Sequence, residues 1–159
     1  MPLSTLARLI WAVLKSTFVY CLLVAGGLTL FLILSPVFGY LPYSDRPGPG
    51  WHGSFPALTW REFWANTGSM LEFGLFFAIL LAPAGAICTL VVRGLGAASF
   101  PPLMRHVLAG VAAIVVTGYF VAAIGWYVAL GVPGLVVSIT FGVAACTVVL
   151  PTLHRAEQT

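Results

Sequence analysis

Eight side chains carry most of the chemistry that this 159-residue sequence could perform: Glu72, Lys15, three histidines and three cysteines. An ionisable group inside an apolar segment is a functional candidate by default, because a charge is costly there. Glu72 could hold a proton or a cation. Ser69-Met-Leu-Glu72 also reads as a capping box, in which the carboxylate returns to the first amides of a helix and is favoured by the helix dipole. Capping is the stronger reading. Lys15 stands at the edge of an apolar run, where its long stem lets the ammonium reach lipid headgroups. A relay of protons or ions would need further polar steps through the apolar middle, which offers only scattered Ser, Thr and Tyr.

Haem ligation calls for His or Met within a helix bundle. His52 lies in a loop, while His106 and His154 fall at the ends of apolar runs, where they could approach one another but read more readily as surface histidines among basic residues. No haem or other cofactor is expected. Cys21, Cys88 and Cys146 lie at similar depth in three apolar runs, which invites a metal site, but no CxxC, His pair or fourth ligand accompanies them. They read as small packing residues and, on the reducing side, as free thiols. Ser44, Asp45, His52 and Ser54 share a loop without the spacing of a nucleophile and its base. Arg93-Gly-Leu-Gly-Ala97 has no strand before it and no Lys-Ser/Thr after it, so it is not a nucleotide-binding loop. No catalytic or metal-ligating residue is expected.

The elements that must position these groups are set by the solvent. The chain is 60% hydrophobic and 7% charged, against about 45–50% and about 25% in a soluble domain. Too few polar side chains are available to clothe a water-soluble globule. The formal charge of +3 is spread along the chain, with no basic stripe to track nucleic acid. Four apolar stretches are long enough to cross a bilayer, at 17–38, 69–92, 107–130 and 135–153. The expected fold is therefore an all-α integral membrane protein, residues 1–159 forming one domain of four transmembrane helices. Arg8, Lys15, Arg93, Arg105 and Arg155 fall on one side and only Arg46 and Arg61 on the other, which places both termini in the cytoplasm. The location expected is a bacterial cytoplasmic (inner) membrane. The first run ends without a cleavage pattern and reads as a true span, and Leu3 to Lys15 reads as the same helix extended to the interface.

The outer loop, residues 39–68, is polar, Pro/Gly-rich and aromatic together. Thr59-Trp-Arg-Glu62 is a second capping box, and Asn66-Thr67-Gly68 is a stop, so Trp60 to Ala65 is expected to form a short interfacial helix. Trp51, His52, Trp60 and Trp64 are candidate partner contacts, the tryptophans as large anchors. Within the spans, small residues that let backbones approach recur in rows of four-residue spacing: Ala78, Ala82 and Ala86; Gly110, Gly118 and Ala122, with Ile114 completing the row; and Ser138, Gly142 and Cys146. Pro83 should kink the second span, and the Gly131 to Gly134 turn should make the last two spans antiparallel neighbours.

Nearly every charge is thus accounted for by insertion or capping. The function expected is a non-catalytic accessory or structural subunit of a larger membrane complex, for which a respiratory or photosynthetic assembly is one home. Its partners would be other integral membrane subunits and the lipid bilayer, with no nucleic acid. The competing expectation is a small oligomeric transporter or channel with Glu72 near its pathway.

Overall fold

The computed structural model describes residues 3–34, 60–128 and 131–156, and these are helical apart from short breaks. α1 spans Leu3–Leu34, α2 Trp60–Leu80, α3 Ala82–Ala97 and α4 Pro102–Val128. α5 spans Gly131–Ala144 and continues through a π-helical turn, Ala145–Val149, into α6, Leu150–Ala156. Three helical stretches, Leu6–Leu34, Pro102–Ile124 and Val132–Ala156, are long and apolar enough to cross a membrane. Thr67–Leu80 of α2 and Ala82–Ala97 of α3, bent by 52° at the break between them, are long and apolar enough for a fourth when the pair is counted as one span. The bend has a covalent cause. Pro83 enters the first turn of α3 without an N–H, so the Ile79 carbonyl loses its partner, while Leu81 still donates to Phe77 at 3.0 Å and Gly85 to Leu81 at 2.9 Å.

Several boundaries differ from those expected. The largest change is in α2, which runs without interruption through Asn66-Thr67-Gly68, so there is no separate interfacial helix at 60–65 and Ser69 and Glu72 stand in a helix interior rather than at a cap. Poor helix formers cost about 0.5–1 kcal/mol each. Each backbone bond kept by continuing the helix offsets that cost, and it would be costlier still to break one in an apolar surrounding. Only the first capping box coincides with a helix start, at Trp60. α4 begins five residues before the expected 107, because Pro102 suits the first helical position, where no N–H is required. Gly131 to Gly134 belongs to the first turn of α5 rather than to the loop. The rest of the outer loop, including Trp51 and His52, lies outside the described residues.

The helices form a closed bundle in which α1 packs along α2, α3 and α5, and α4 packs along α3 and α5. Neighbours are antiparallel: Gly110 faces Thr147 while Gly118 faces Ile139, and Gly74 faces Thr29 while Gly85 faces Tyr20 and Thr17. The core is a stripe of Tyr20, Val24, Leu28 and Leu32 on α1, met by Phe77, Leu81, Ala84 and Cys88 and by Ala113, Thr117 and Val121. Glycines set the closest approaches. A Cβ at Gly27 would run into the Phe141 ring, at Gly74 into the Thr29 hydroxyl and at Gly142 into Thr117. Several hydroxyls in the helices are satisfied locally: Thr29 donates to Ala25, Ser138 to Gly134, Thr140 to Val136 and Thr147 to Val143, all at 2.7–2.9 Å.

Candidate functional site

At one end of the bundle the last turns of α3, the start of α4 and the end of α6 enclose a cavity of about 240 Å³. Its wall carries Arg105, His106, His154 and Arg155, and no carboxylate of the described residues lines it. Val92, Ala109 and Pro151 give it an apolar side.

Local sequence explains how these basic side chains come together. Starting α4 at Pro102 puts Arg105 and His106 in its first two turns, where both line the cavity. Arg105 is folded back over the α3–α4 connection: its Nε donates to the Phe100 carbonyl at 2.8 Å and its backbone N–H to the Pro101 carbonyl at 3.1 Å. The two terminal nitrogens of the guanidinium keep the planar fork that matches carboxylate or phosphate. His106 Nδ1 lies 2.7 Å from the Pro102 carbonyl. A carbonyl only accepts, so Nδ1 carries the hydrogen and Nε2 is the nitrogen left for other contacts.

The opposite wall is built by the π-helical turn and by α6 beyond it. That turn holds about one extra residue, which rotates every later position by about 100° relative to an unbroken α-helix. Cys146 and Thr147, within the turn, line the cavity, and His154 in α6 lies over Gly96 of α3, where a Cβ would meet the ring at 3.3 Å. His154 and Arg155 occupy the last turn of α6, where the carbonyl end of the helix favours cations.

Deeper in the bundle the Tyr20 and Thr117 hydroxyls share a 2.6 Å hydrogen bond that crosses from α1 to α4. The Cys88 side chain lies close to those of Cys146 and Tyr20. Two of the three cysteines that share a depth in sequence therefore meet, whereas Cys21 lies beside Gly85. All three are free and buried. No group of three His, Cys, Asp or Glu suited to a metal occurs among the described residues.

The other residues singled out by sequence are dispersed. Trp60 opens α2 and Trp64, one turn on, is exposed; Glu72 is exposed on the same helix and does not line the cavity. Among the small residues, Ser138 and Gly142 are buried, Gly110, Gly118, Ala78, Ala82 and Ala86 are half-buried, and Ala122 is exposed. The group that sequence reasoning missed is the basic cavity wall, whose signal is two Arg/His doublets, Arg105-His106 and His154-Arg155, at the ends of two apolar runs. Compared with known protein families, with curated proteins and with solved structures, the chain matches none.

Proposed function

We propose that this chain is a non-catalytic integral subunit of a larger membrane assembly and that it meets a partner helix through the outward face of α4. The observation that carries this reading is Tyr119. It is 71% exposed on α4, about 25 Å along the helix from its start at Pro102 and about 14 Å from its end. At that level a phenol facing lipid has no acceptor. The exposed Thr140 returns its hydroxyl to its own helix, which the longer Tyr side chain cannot do. A neighbouring transmembrane helix supplies such an acceptor, and interhelical polar contacts of this kind hold membrane helices together.

The rest of the face suits the same purpose. Val111, Val115, Tyr119 and Ala122 recur at three- and four-residue spacing and are all exposed, and α4 is the least buried of the three uninterrupted spans. The interior holds no carboxylate or cation among the described core residues, which favours a packing role over a transport path. In a bacterial cytoplasmic membrane, respiratory and photosynthetic complexes are assemblies of this kind.

The test is purification of the tagged chain from its own membrane in mild detergent. The expected result is a particle containing a second integral protein in fixed stoichiometry, lost on Tyr119→Leu or Ala122→Trp without a fall in the melting temperature of the isolated chain. Recovery of the unaltered chain alone as a monodisperse monomer would overturn the reading. Solute flux in proteoliposomes that falls on Glu72→Gln would replace it with a transporter.

A further inference from the structure

The basic cavity has no part in a packing role on α4, and its chemistry points elsewhere. We infer that it binds a phosphate group, either of an anionic lipid or of a free phosphate. The inference stands on the residues that line the cavity. Two guanidiniums and two imidazoles converge on about 240 Å³ with no carboxylate of the described residues among them. The two guanidiniums stay charged, so an anion placed between them is favoured. Arg105 is held by its Nε to Phe100, which fixes the orientation of its fork while leaving the terminal N–H groups to a ligand. His106 is held by Nδ1 to Pro102. Its Nε2 accepts a hydrogen bond from a protonated phosphate oxygen when the ring is neutral and donates to an ionised one when the ring is charged. Both adjacent side chains are thus tethered to backbone carbonyls through the nitrogen a ligand does not need.

Size and setting narrow the ligand further. The cavity, at about 240 Å³, lies just below the about 300–1,000 Å³ of sites for drug-sized molecules and has room for a headgroup or an inorganic ion. It opens at the ends of apolar helices, and its Val92, Ala109 and Pro151 side suits the glycerol and upper acyl part of a lipid. Basic pockets between transmembrane helix ends recognise anionic headgroups by the same physics.

The experiment has two binding arms on the purified full chain in detergent micelles. One titrates phosphatidylglycerol against phosphatidylcholine and counts bound lipid by native mass spectrometry. The other measures radiolabelled inorganic phosphate by equilibrium dialysis. Saturable single-site binding is expected in at least one arm, weakened about tenfold by Arg105→Gln and by Arg155→Gln, with Arg8→Gln, a cation on the N-terminal part of α1, unchanged. Arg155 is exposed in the last turn of α6, so its variant tests the site without disturbing the bundle. Lipid binding without phosphate binding identifies a headgroup site, and phosphate binding identifies a site for the free anion. Absence of binding in both arms overturns the inference. So does a loss on Arg8→Gln equal to that on Arg105→Gln, which would reduce the effect to general surface charge.

Discussion

Gly142 shows how a single hydrogen atom in place of a side chain controls this bundle. A Cβ there would press on Thr117, whose Cγ2 and Cβ lie 3.0 and 3.1 Å from the position it would take. Thr117 is β-branched and therefore stiff about χ1, and its hydroxyl is engaged with Tyr20, so rotation offers no escape. The clash must be relieved by moving helices. Gly142→Val is expected to destabilise the protein by about 1–3 kcal/mol, measured as a shift in unfolding with increasing sodium dodecyl sulfate in mixed micelles. Gly26 and Gly94 supply the contrast, since nothing lies within 4 Å of a Cβ at either. Gly26→Ala and Gly94→Ala should be neutral or stabilising by up to about 1 kcal/mol, because the substitution removes backbone freedom without meeting a neighbour. Equal losses at all three positions would mean that the close α4–α5 approach does not govern stability. Gly27 is an intermediate case: its neighbour is the Phe141 ring, which can swing as a unit where Thr117 cannot.

At the scale of elements, the bend between α2 and α3 is the feature with the clearest single cause. Pro83→Ala restores a donor for the Ile79 carbonyl and removes the ring that crowds it. The 52° bend should relax. Spin labels at Leu71 on α2 and Leu90 on α3, both exposed, would report this as a longer distance in a pulsed dipolar measurement. An unchanged distance would mean that packing against α1, rather than the proline, holds the bend. Pro83 was legible in sequence because its effect is covalent and local. The four apolar runs were legible for a similar reason, since bilayer thickness alone sets their length. The continuity of α2 was not, because Ser69-Met-Leu-Glu72 and Asn66-Thr67-Gly68 are local signals worth about 1 kcal/mol, weaker than the backbone bonds they would have broken. The π-helical turn at Ala145–Val149 carries no residue signature, yet it helps to set which way His154 and Arg155 face. His106 and His154 were recognisable as potential neighbours from their depth, but the cavity between them depends on how three helix ends meet and has no counterpart in residue spacing.

For the molecule as a whole, antiparallel packing sorts the charges by end. Thr17 and Tyr20 lie against Gly85, so the N-terminal turns of α1 with Arg8 and Lys15 extend toward the same end as Arg93, Arg105 and Arg155. Arg61 sits near the start of α2, at the other end. During insertion, cations near helix ends are retained in the cytoplasm, and among the described residues all the Lys and Arg except Arg61 fall at this one end. The same end holds the basic cavity, so under the proposed orientation the charges that would hold this end inside would also face the leaflet surface where anionic headgroups are found. This argues for both termini and the α3–α4 connection being cytoplasmic, and it can be tested without a reporter fusion. Cys21, Cys88 and Cys146 are buried, so the unaltered chain should react weakly with a membrane-impermeant maleimide. Ser99 is exposed in the α3–α4 connection and Trp64 is exposed on α2 at the opposite end. In intact cells Trp64→Cys should be labelled and Ser99→Cys protected until the membrane is permeabilised. The reverse pattern would invert the topology and place the basic cavity at the outer face, where the impermeant reagent would reach Ser99→Cys first.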